Sequence, residues 1–379
     1  MYTILSVHQV VKYTLRMSYI CRLNSHSQLT IHHTYMQRCL ELAAKGAGSV
    51  APNPMVGAVL VYNDEIIGEG WHKQFGEAHA EVNCINSVSD ENKRLITSST
   101  LYVSLEPCAH FGKTPPCADL IIQHKIPKVF IGCRDPFIEV NGKGIEKLQA
   151  AGVEVEFGIM EEECKALNKR FFTFHIQQRP YIILKWAETA DGFIAPLAGA
   201  EEPRLLISNE YSNRIVHQWR SEEAAILVGI NTALLDDPAL TTRLWPGKSP
   251  VRLVLDMNLR LPNTLKIFDG IVRTIVFNAE MQEEKENLLY YKLENDKNVV
   301  AQLMKVLYQL KIQSVLVEGG AKLLQSFTDA GLWDEARVIK NEELIINNGL
   351  NSPILSVANK VSEQKILRDK IEIYNPKHS

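Results

Sequence analysis

Short apolar strands alternate with helical stretches from Tyr35 to about Gln177, and after Arg179-Pro180 the alternation begins again. Each strand or helix buries one face only, so a chain built this way closes its core by laying helices against a sheet. The spacing predicts a helix over "YMQRCLELAAKG" and a hairpin over "MVGAVLVYNDEIIGEGWH" with Asn63-Asp64 at its turn. It then predicts a helix from "HAEVNCINSV", a strand "STLYVSL", a helix "CADLIIQHKI" and a strand "KVFIGCRDP". Helix "GIEKLQAAG", strand "VEVEFGI" and one closing helix "EEECKALNKRFFTFHIQQ" complete the first unit. Beyond Pro180 a new apolar strand begins within "YIILKWAETADGFIA", followed by strands "AAILVG", "VRLVLD", "TIVFN" and "SVLVEGG", while residues 281 to 298 read as a solvated helix or loop. Three segments result: an extension over 1–34, read as poorly ordered, one α/β domain over 35–177 and a second over 178–379.

At 379 residues the chain is long enough for two such cores. Apolar residues make up 46% and charged residues 22%, the balance of a soluble globular protein. A net charge of -3 supplies no basic field for an extended nucleic acid, so a small-molecule partner is expected. Seven scattered cysteines do not form a disulfide framework and point to a reducing, cytoplasmic setting. The first 40 residues hold Lys12, Arg16, Arg22 and Arg38 without Asp or Glu, a faint echo of a transit peptide, but an extension ahead of Met36 is the preferred reading.

Three residue types within the first domain belong together chemically. "HAE" places His79 two residues from Glu81, and "EPCAHFGKTPPC" places Cys108 and Cys117 beside prolines with eight residues between them. A catalytic zinc takes three protein ligands of this kind and keeps a fourth position open; His110 or His72 would close it into a structural site. Glu81, on the first turn of a helix begun at His79, stands beside the open position without binding. Such a centre activates water near neutral pH, and the carboxylate carries its proton to a ring nitrogen and a departing amine. The chemistry is hydrolytic deamination of an amidine-like carbon.

With "PNPMVGAVL", "GEAHAEVNCI", "LEPCAHFGKTPPC", "LKWAETADGFIA" and "DDPALTTR", the chain from Tyr35 onward resembles the bifunctional deaminase-reductases of riboflavin biosynthesis. The resemblance implies a cytidine-deaminase-like three-layer domain followed by a dihydrofolate-reductase-like α/β domain. It implies Zn2+ and NADPH as cofactors, a phosphoribosyl pyrimidine as substrate and a homo-oligomer, with neither nucleic acid nor membrane as partner. Asn53, His72, His110 and Lys113 match positions that contact the pyrimidine or its ribose phosphate. In the second half Ala187, Thr232 and Asp236 match cofactor positions. So does the run Gly320, Ala321, Lys322, Leu323, Leu324, Gln325 and Ser326, where bare backbone at the start of a helix suits a pyrophosphate. Lys185, Asp191, Arg220, Leu240, Arg243 and Glu318 match the reductase substrate site, Arg220 as a cation for its phosphate.

Two positions depart from that pattern. Leu206 stands where the family shows tryptophan, and Met257 where it shows serine. Loss of the aromatic face weakens stacking by about 1 kcal/mol. It also raises a second reading, a deaminase whose other domain only binds or assembles.

Overall fold

The computed structural model describes residues 31–111, 115–137, 140–197, 205–295 and 297–377. Its first unit follows the expected alternation closely. Helix α1 (Ile31–Ala43) begins four residues ahead of the predicted Tyr35, so residues 31–34 belong to the fold and not to the extension. Strands β1 (Gly57–Tyr62) and β2 (Glu65–Trp71) form the hairpin, with Asn63 and Asp64 both at positive φ as its two-residue turn requires. Next come α2 (Ala80–Asn86), β3 (Thr100–Leu105), α3 (Cys117–Gln123), β4 (Lys128–Cys133), α4 (Lys143–Ala150) and β5 (Glu154–Phe157). The five strands are ordered β2-β1-β3-β4-β5.

Alternation along each strand sorts the core into two layers. Leu60, Leu101 and Val129 join Ile85, Ile121 and Leu148 of α2, α3 and α4 on one face. Val59, Tyr102 and Phe130 join Met36 and Leu40 of α1 on the other. The single closing helix expected at the end of this unit is instead two, α5 (Glu161–Leu167) and α6 (Lys169–Gln177). The break falls at Asn168, whose buried amide accepts from Met55 N at 2.8 Å and donates to Met55 O at 2.9 Å. That tertiary pairing turns the chain where helical periodicity alone would run on.

The second unit is built on one ten-stranded sheet. Its elements begin with β6 (Tyr181–Glu188), β7 (Phe193–Pro196), α7 (Glu210–Glu222), β8 (Ala225–Gly229), α8 (Ile230–Asp236), β9 (Val251–Leu255) and β10 (Thr274–Asn278). They continue with β11 (Glu283–Lys285), β12 (Leu288–Lys292), α9 (Val299–Gln309), β13 (Ser314–Val317), α10 (Ala321–Asp329) and β14 (Glu335–Asn341). The last are β15 (Gly349–Asn351), β16 (Ala358–Ile366) and β17 (Asp369–Pro376). The sheet order is β11-β12-β10-β9-β8-β13-β6-β14-β17-β16, parallel from β12 to β14 and antiparallel at both ends. β7 and β15 pair separately. Residues 283–292, expected as a solvated helix or loop, form the β11-β12 hairpin. Leu289 and Leu293 are buried and β12 lies in parallel register with β10, so sheet pairing overrides the charged composition.

The two units meet through buried charge. Arg170 of α6 donates Nε to Glu223 Oε2 at 2.8 Å and Nη2 to the other oxygen. Arg337 of β14 lies 3.8 Å from Glu223, stacks 4.8 Å over Trp219 and donates to Glu335 at 2.5 Å. Lys169 pairs with Glu335 as well. Burial would raise both carboxyls, but the adjoining guanidinium groups hold Glu223 and Glu335 below the usual range. Depressed carboxyl groups stabilise the fold above their ordinary pKa and lose that contribution as pH falls through the depressed value. Glu223→Gln leaves the Arg170 guanidinium without its carboxylate, while Arg337 keeps Glu335, and is expected to lower stability by about 3 kcal/mol at neutral pH. In denaturant unfolding the deficit should shrink as acid protonates the wild-type pair; a loss below about 1 kcal/mol at pH 7 would contradict the network's role.

Candidate functional site

His79 is the residue ahead of α2, in extended conformation, and Glu81 sits in the helix's first turn, 3% exposed. β3 ends at Leu105 and delivers Cys108 from the following loop, while Cys117 opens α3. Three separate elements therefore converge at neighbouring ends on one side of the sheet. His79 Nδ1 lies 3.7 Å from Cys108 Sγ and 3.4 Å from Cys117 Sγ. Tetrahedral zinc, with bonds of about 2.3 Å to sulfur and 2.0 Å to nitrogen, sets such ligands about 3.5 Å apart. The donor set fits that metal without rearrangement, and among the described residues these three gather their ligand atoms within 4.8 Å of one another.

The surrounding charges agree. The hydrogen bond from Cys117 pulls Cys108 down to about 4, while sharing that proton drives Cys117 up, so one thiolate is held ready beside His79. Burial pushes Glu81 above the ordinary carboxylate range, against the counteracting pull of His79. A carboxyl with raised proton affinity at a water-activating centre is suited to shuttling.

Around this centre the sequence expectations divide. Asn53 Nδ2 lies 3.2 Å from His72 Nε2, and His72 Nδ1 lies 3.0 Å from Ala78 O. His72, 2% exposed, thus has both nitrogens committed and its pKa lowered by burial, so it orients Asn53 instead of meeting a ring or phosphate or closing the metal site. That leaves the Asn53 carbonyl oxygen and its second N–H for a base edge. Among the described residues His110 Nδ1 is buried without a hydrogen-bond partner, and the ring lies edge-on to Phe137 at 6.2 Å. Lys113 lies outside the described residues.

In the second unit the carboxyl ends of β9, β8 and β13 stand side by side, as in open parallel sheets that bind ligands beyond their strand ends. A cavity of about 590 Å³ opens there, where α8, α9 and α10 begin. Gly320 caps α10 at φ +70 and lines the cavity with bare backbone, while a Cβ on Gly319 would press on Thr232 Oγ1 at 3.0 Å, itself a lining residue. Helix N-termini and bare amides suit the phosphates of a dinucleotide. Thr232, Gly320, Lys322, Leu323 and Ser326 line it as expected. Leu324 does not, because it is fully buried in the core, and Gln325 bonds to Thr328, Asp329 and Ile354 N. Ala187, Ala321 and Asp236 are not among the lining residues either. Asn231, Leu255, Asn298 and Val299 are, and sequence reasoning missed them; the helix starts after Gly229 and at Asn298 were the available signal.

The expected substrate cations and carboxylates partly gather. Arg220 donates Nε to Glu318 Oε1 at 2.7 Å and Nη2 to Oε2 at 2.6 Å, with Lys185 Nζ 3.9 Å away. The guanidinium fork expected for a phosphate is therefore filled by a carboxylate; burial alone would raise Glu318, but Arg220 and Lys185 hold it at about 2. Arg243 is exposed, its backbone N–H held by His217 Nδ1 at 3.0 Å. Leu240 turns its side chain into the core at φ +51 and offers backbone only. Asp191 is taken by Thr189 Oγ1 at 2.6 Å and by the N–H groups of Ile346 and Asn347, so it holds a loop instead of facing the Glu318 group. Leu206 is 68% exposed beside a second hollow also lined by Asn209, Asn213 and Arg368, while Met257 packs on the core.

Comparison with known proteins follows the same division. Residues 29–133 match the family described as the cytidine and deoxycytidylate deaminase zinc-binding region, and residues 180–341 match the RibD C-terminal domain. Riboflavin biosynthesis protein RibD of Aquifex aeolicus is 40% identical over 351 residues, 90% of this chain and 95% of that protein. The Escherichia coli protein of the same name is 36% identical over 319 residues, 79% of this chain and 85% of its own length. A Thermotoga maritima crystal structure is described as a diaminohydroxyphosphoribosylaminopyrimidine deaminase/5-amino-6-(5-phosphoribosylamino)uracil reductase. It superposes with a TM-score of 0.81 at 38% identity, covering 91% of this chain and 99% of that one. Acinetobacter baumannii RibD gives 0.82 at 31% identity, covering 93% and 100%.

If His79, Cys108 and Cys117 are the ligand set, Cys117→Ser should reduce bound metal well below the about one equivalent per chain expected of the wild type. Elemental analysis after dialysis measures it, and unchanged zinc would remove Cys117 from the set.

Proposed function

The chain belongs to the RibD family of bifunctional deaminase-reductases of riboflavin biosynthesis, and from that premise we propose how its residues divide the two reactions. The pair of activities is hydrolytic deamination of a diaminohydroxyphosphoribosylaminopyrimidine, then reduction of the ribosyl group of 5-amino-6-(5-phosphoribosylamino)uracil, with Zn2+ and NADPH as cofactors. Both domains are present, so a second half that only binds or assembles is set aside.

The observation that carries the deaminase assignment is the convergence of His79, Cys108 and Cys117 at tetrahedral spacing, with buried Glu81 one helical step away. Zinc, when bound there, supplies the Lewis acidity that makes water nucleophilic near neutral pH. Glu81 would take one proton from the attacking water and give it to the pyrimidine nitrogen, then take the proton of the newly formed C–OH group and give it to the amine as the C–N bond breaks, leaving a carbonyl and ammonia. Asn53, fixed by His72, reads the base edge through its remaining donor and acceptor, and the half-buried His110 ring, backed by Phe137, meets the substrate with its exposed edge. Lys113 is retained as the cation for the ribose phosphate.

In the reductase the cavity at the start of α10 receives the dinucleotide, with the Gly320 backbone against its pyrophosphate. NADPH, when bound, supplies the reducing equivalent. Glu318, held ionised by Arg220 and Lys185, faces the ribosyl hydroxyls, and Lys185 is placed to hold a proton for the opened sugar. Arg243, with an exposed guanidinium, is better placed than Arg220 for the substrate phosphate. We place the domain boundary at Gln178-Arg179-Pro180, between α6 and β6, and read the enzyme as a cytoplasmic homo-oligomer; among the described residues no helix is long and apolar enough to cross a membrane.

Glu81→Gln is expected to keep its zinc and lose ammonia release by at least about 10²-fold, while NADPH oxidation on deaminated substrate stays at the wild-type rate. Coupled ammonia and absorbance assays read both; undiminished ammonia release would overturn the shuttle. Gly320→Val, forced into positive φ at the phosphate-facing turn, should raise the KM for NADPH at least tenfold and leave ammonia release unchanged. An unchanged KM would place the cofactor elsewhere.

A further inference from the structure

We propose that Glu106, outside the ligand set and two residues ahead of Cys108, is the positioning residue of the deaminase site. It is 4% exposed, and among the described residues no cation pairs with it. Its charge is met by backbone dipoles. Oε2 accepts from Asp135 N at 3.3 Å and Gly142 N at 3.0 Å, while Oε1 accepts from Gly144 N at 2.9 Å and Ile145 N at 3.3 Å. Both oxygens are thus saturated by N–H groups from the loop after β4 and the first turn of α4. A buried carboxylate satisfied this way is strongly localised, because each bond is charge-assisted and its loss would leave an unpaired charge.

The bonds reach the site from two directions. On the ligand side, Glu106 N donates to Cys133 O at 3.0 Å, and the α4 start is pressed onto the next residue: a Cβ on Gly144 would stand 2.0 Å from Pro107 O. The segment leading to Cys108 is therefore clamped between β4 and α4. On the substrate side, Asp135 is fixed by Glu106 and its Oδ1 accepts from Phe137 N at 2.8 Å. Phe137 in turn backs His110 at 6.2 Å and leans on His175 of α6 at 5.1 Å. One carboxylate thereby sets both the approach of a metal ligand and the wall behind a substrate-facing histidine. Mutating groups that orient metal ligands typically costs about 10- to 100-fold in metal affinity or activity.

This inference rests on the zinc assignment of the preceding section, which the zinc content of the wild-type enzyme tests separately. Glu106→Gln preserves volume but turns one oxygen into a donor facing two N–H groups. In the full-length protein it should lower deaminase kcat/KM by about 10- to 100-fold, speed zinc loss to a weak chelator and accelerate amide hydrogen exchange over 142–145. The reductase rate of the same sample on deaminated substrate should stay unchanged. Phe137→Leu, a milder change, should raise the deaminase KM several-fold with kcat and zinc retention unaltered. The proposal is overturned if Glu106→Gln retains deaminase kcat/KM and zinc within about twofold, if it loses the reductase in equal proportion, or if Phe137→Leu leaves KM unmoved.

Discussion

The junction between the two units depends on a pair of buried carboxylates, Glu223 and Glu335, shared among Lys169, Arg170 and Arg337. Ions taken out of water hold one geometry, because any movement exposes an uncompensated charge to a poorly polarisable surrounding. This matters beyond the interface itself. Glu223 follows directly on α7, which presents Arg220 to Glu318, and Arg170 lies on α6 one turn from Phe174 and His175. The same helix that packs behind the deaminase loop is thus bolted to the helix that arms the reductase. Smaller contacts reinforce the seam: Gln313 donates to Pro52 O at 2.8 Å, next to Asn53, and Phe174 meets Tyr308 at 4.7 Å.

Both sites follow one architectural logic. In each sheet the strands deliver chain to a common edge, and helices begin there with free N–H groups. In the first unit those starts carry His79, Glu81 and Cys117, and in the second they leave the cavity between α8, α9 and α10. The positive ends of the helices favour anionic groups at both places, thiolates at the first and, at the second, the phosphates proposed for the cavity. Glu106 uses the same principle inside the protein, turning the N–H groups of a helix start into a fastening for the metal-ligand segment.

Several residues show how far sequence reasoning reaches. Residue type and spacing were enough to single out His79, Cys108 and Cys117, which the fold gathers within 4.8 Å of one another, and Glu81, which it sets on the helix turn beside them. They were not enough for His72, Arg220 or Asp191, since a polar side chain in a plausible place is equally suited to bind a ligand or a neighbour. Here each has a protein partner: Asn53 with Ala78, Glu318, and Thr189 with the 346–347 backbone. Leu324 and Gln325 fell in a run whose members alternate between cavity and core around α10, a distinction that requires the helix's rotation against the sheet.

The sequence by itself determined the layered α/β plan, the hairpin turn at Asn63-Asp64, the restart after Pro180 and the donor types of the His79, Cys108 and Cys117 cluster. Those are local properties: periodicity, turn stereochemistry and donor type are written in neighbouring residues. Tertiary structure alone decided the break at Asn168, the β11-β12 hairpin, the charged seam between the units and the use of Glu106 as an internal anchor. Each depends on a partner far away in the chain, Met55 for Asn168 and Gly144 for Glu106, and no local pattern records which distant group will arrive to satisfy a buried polar atom.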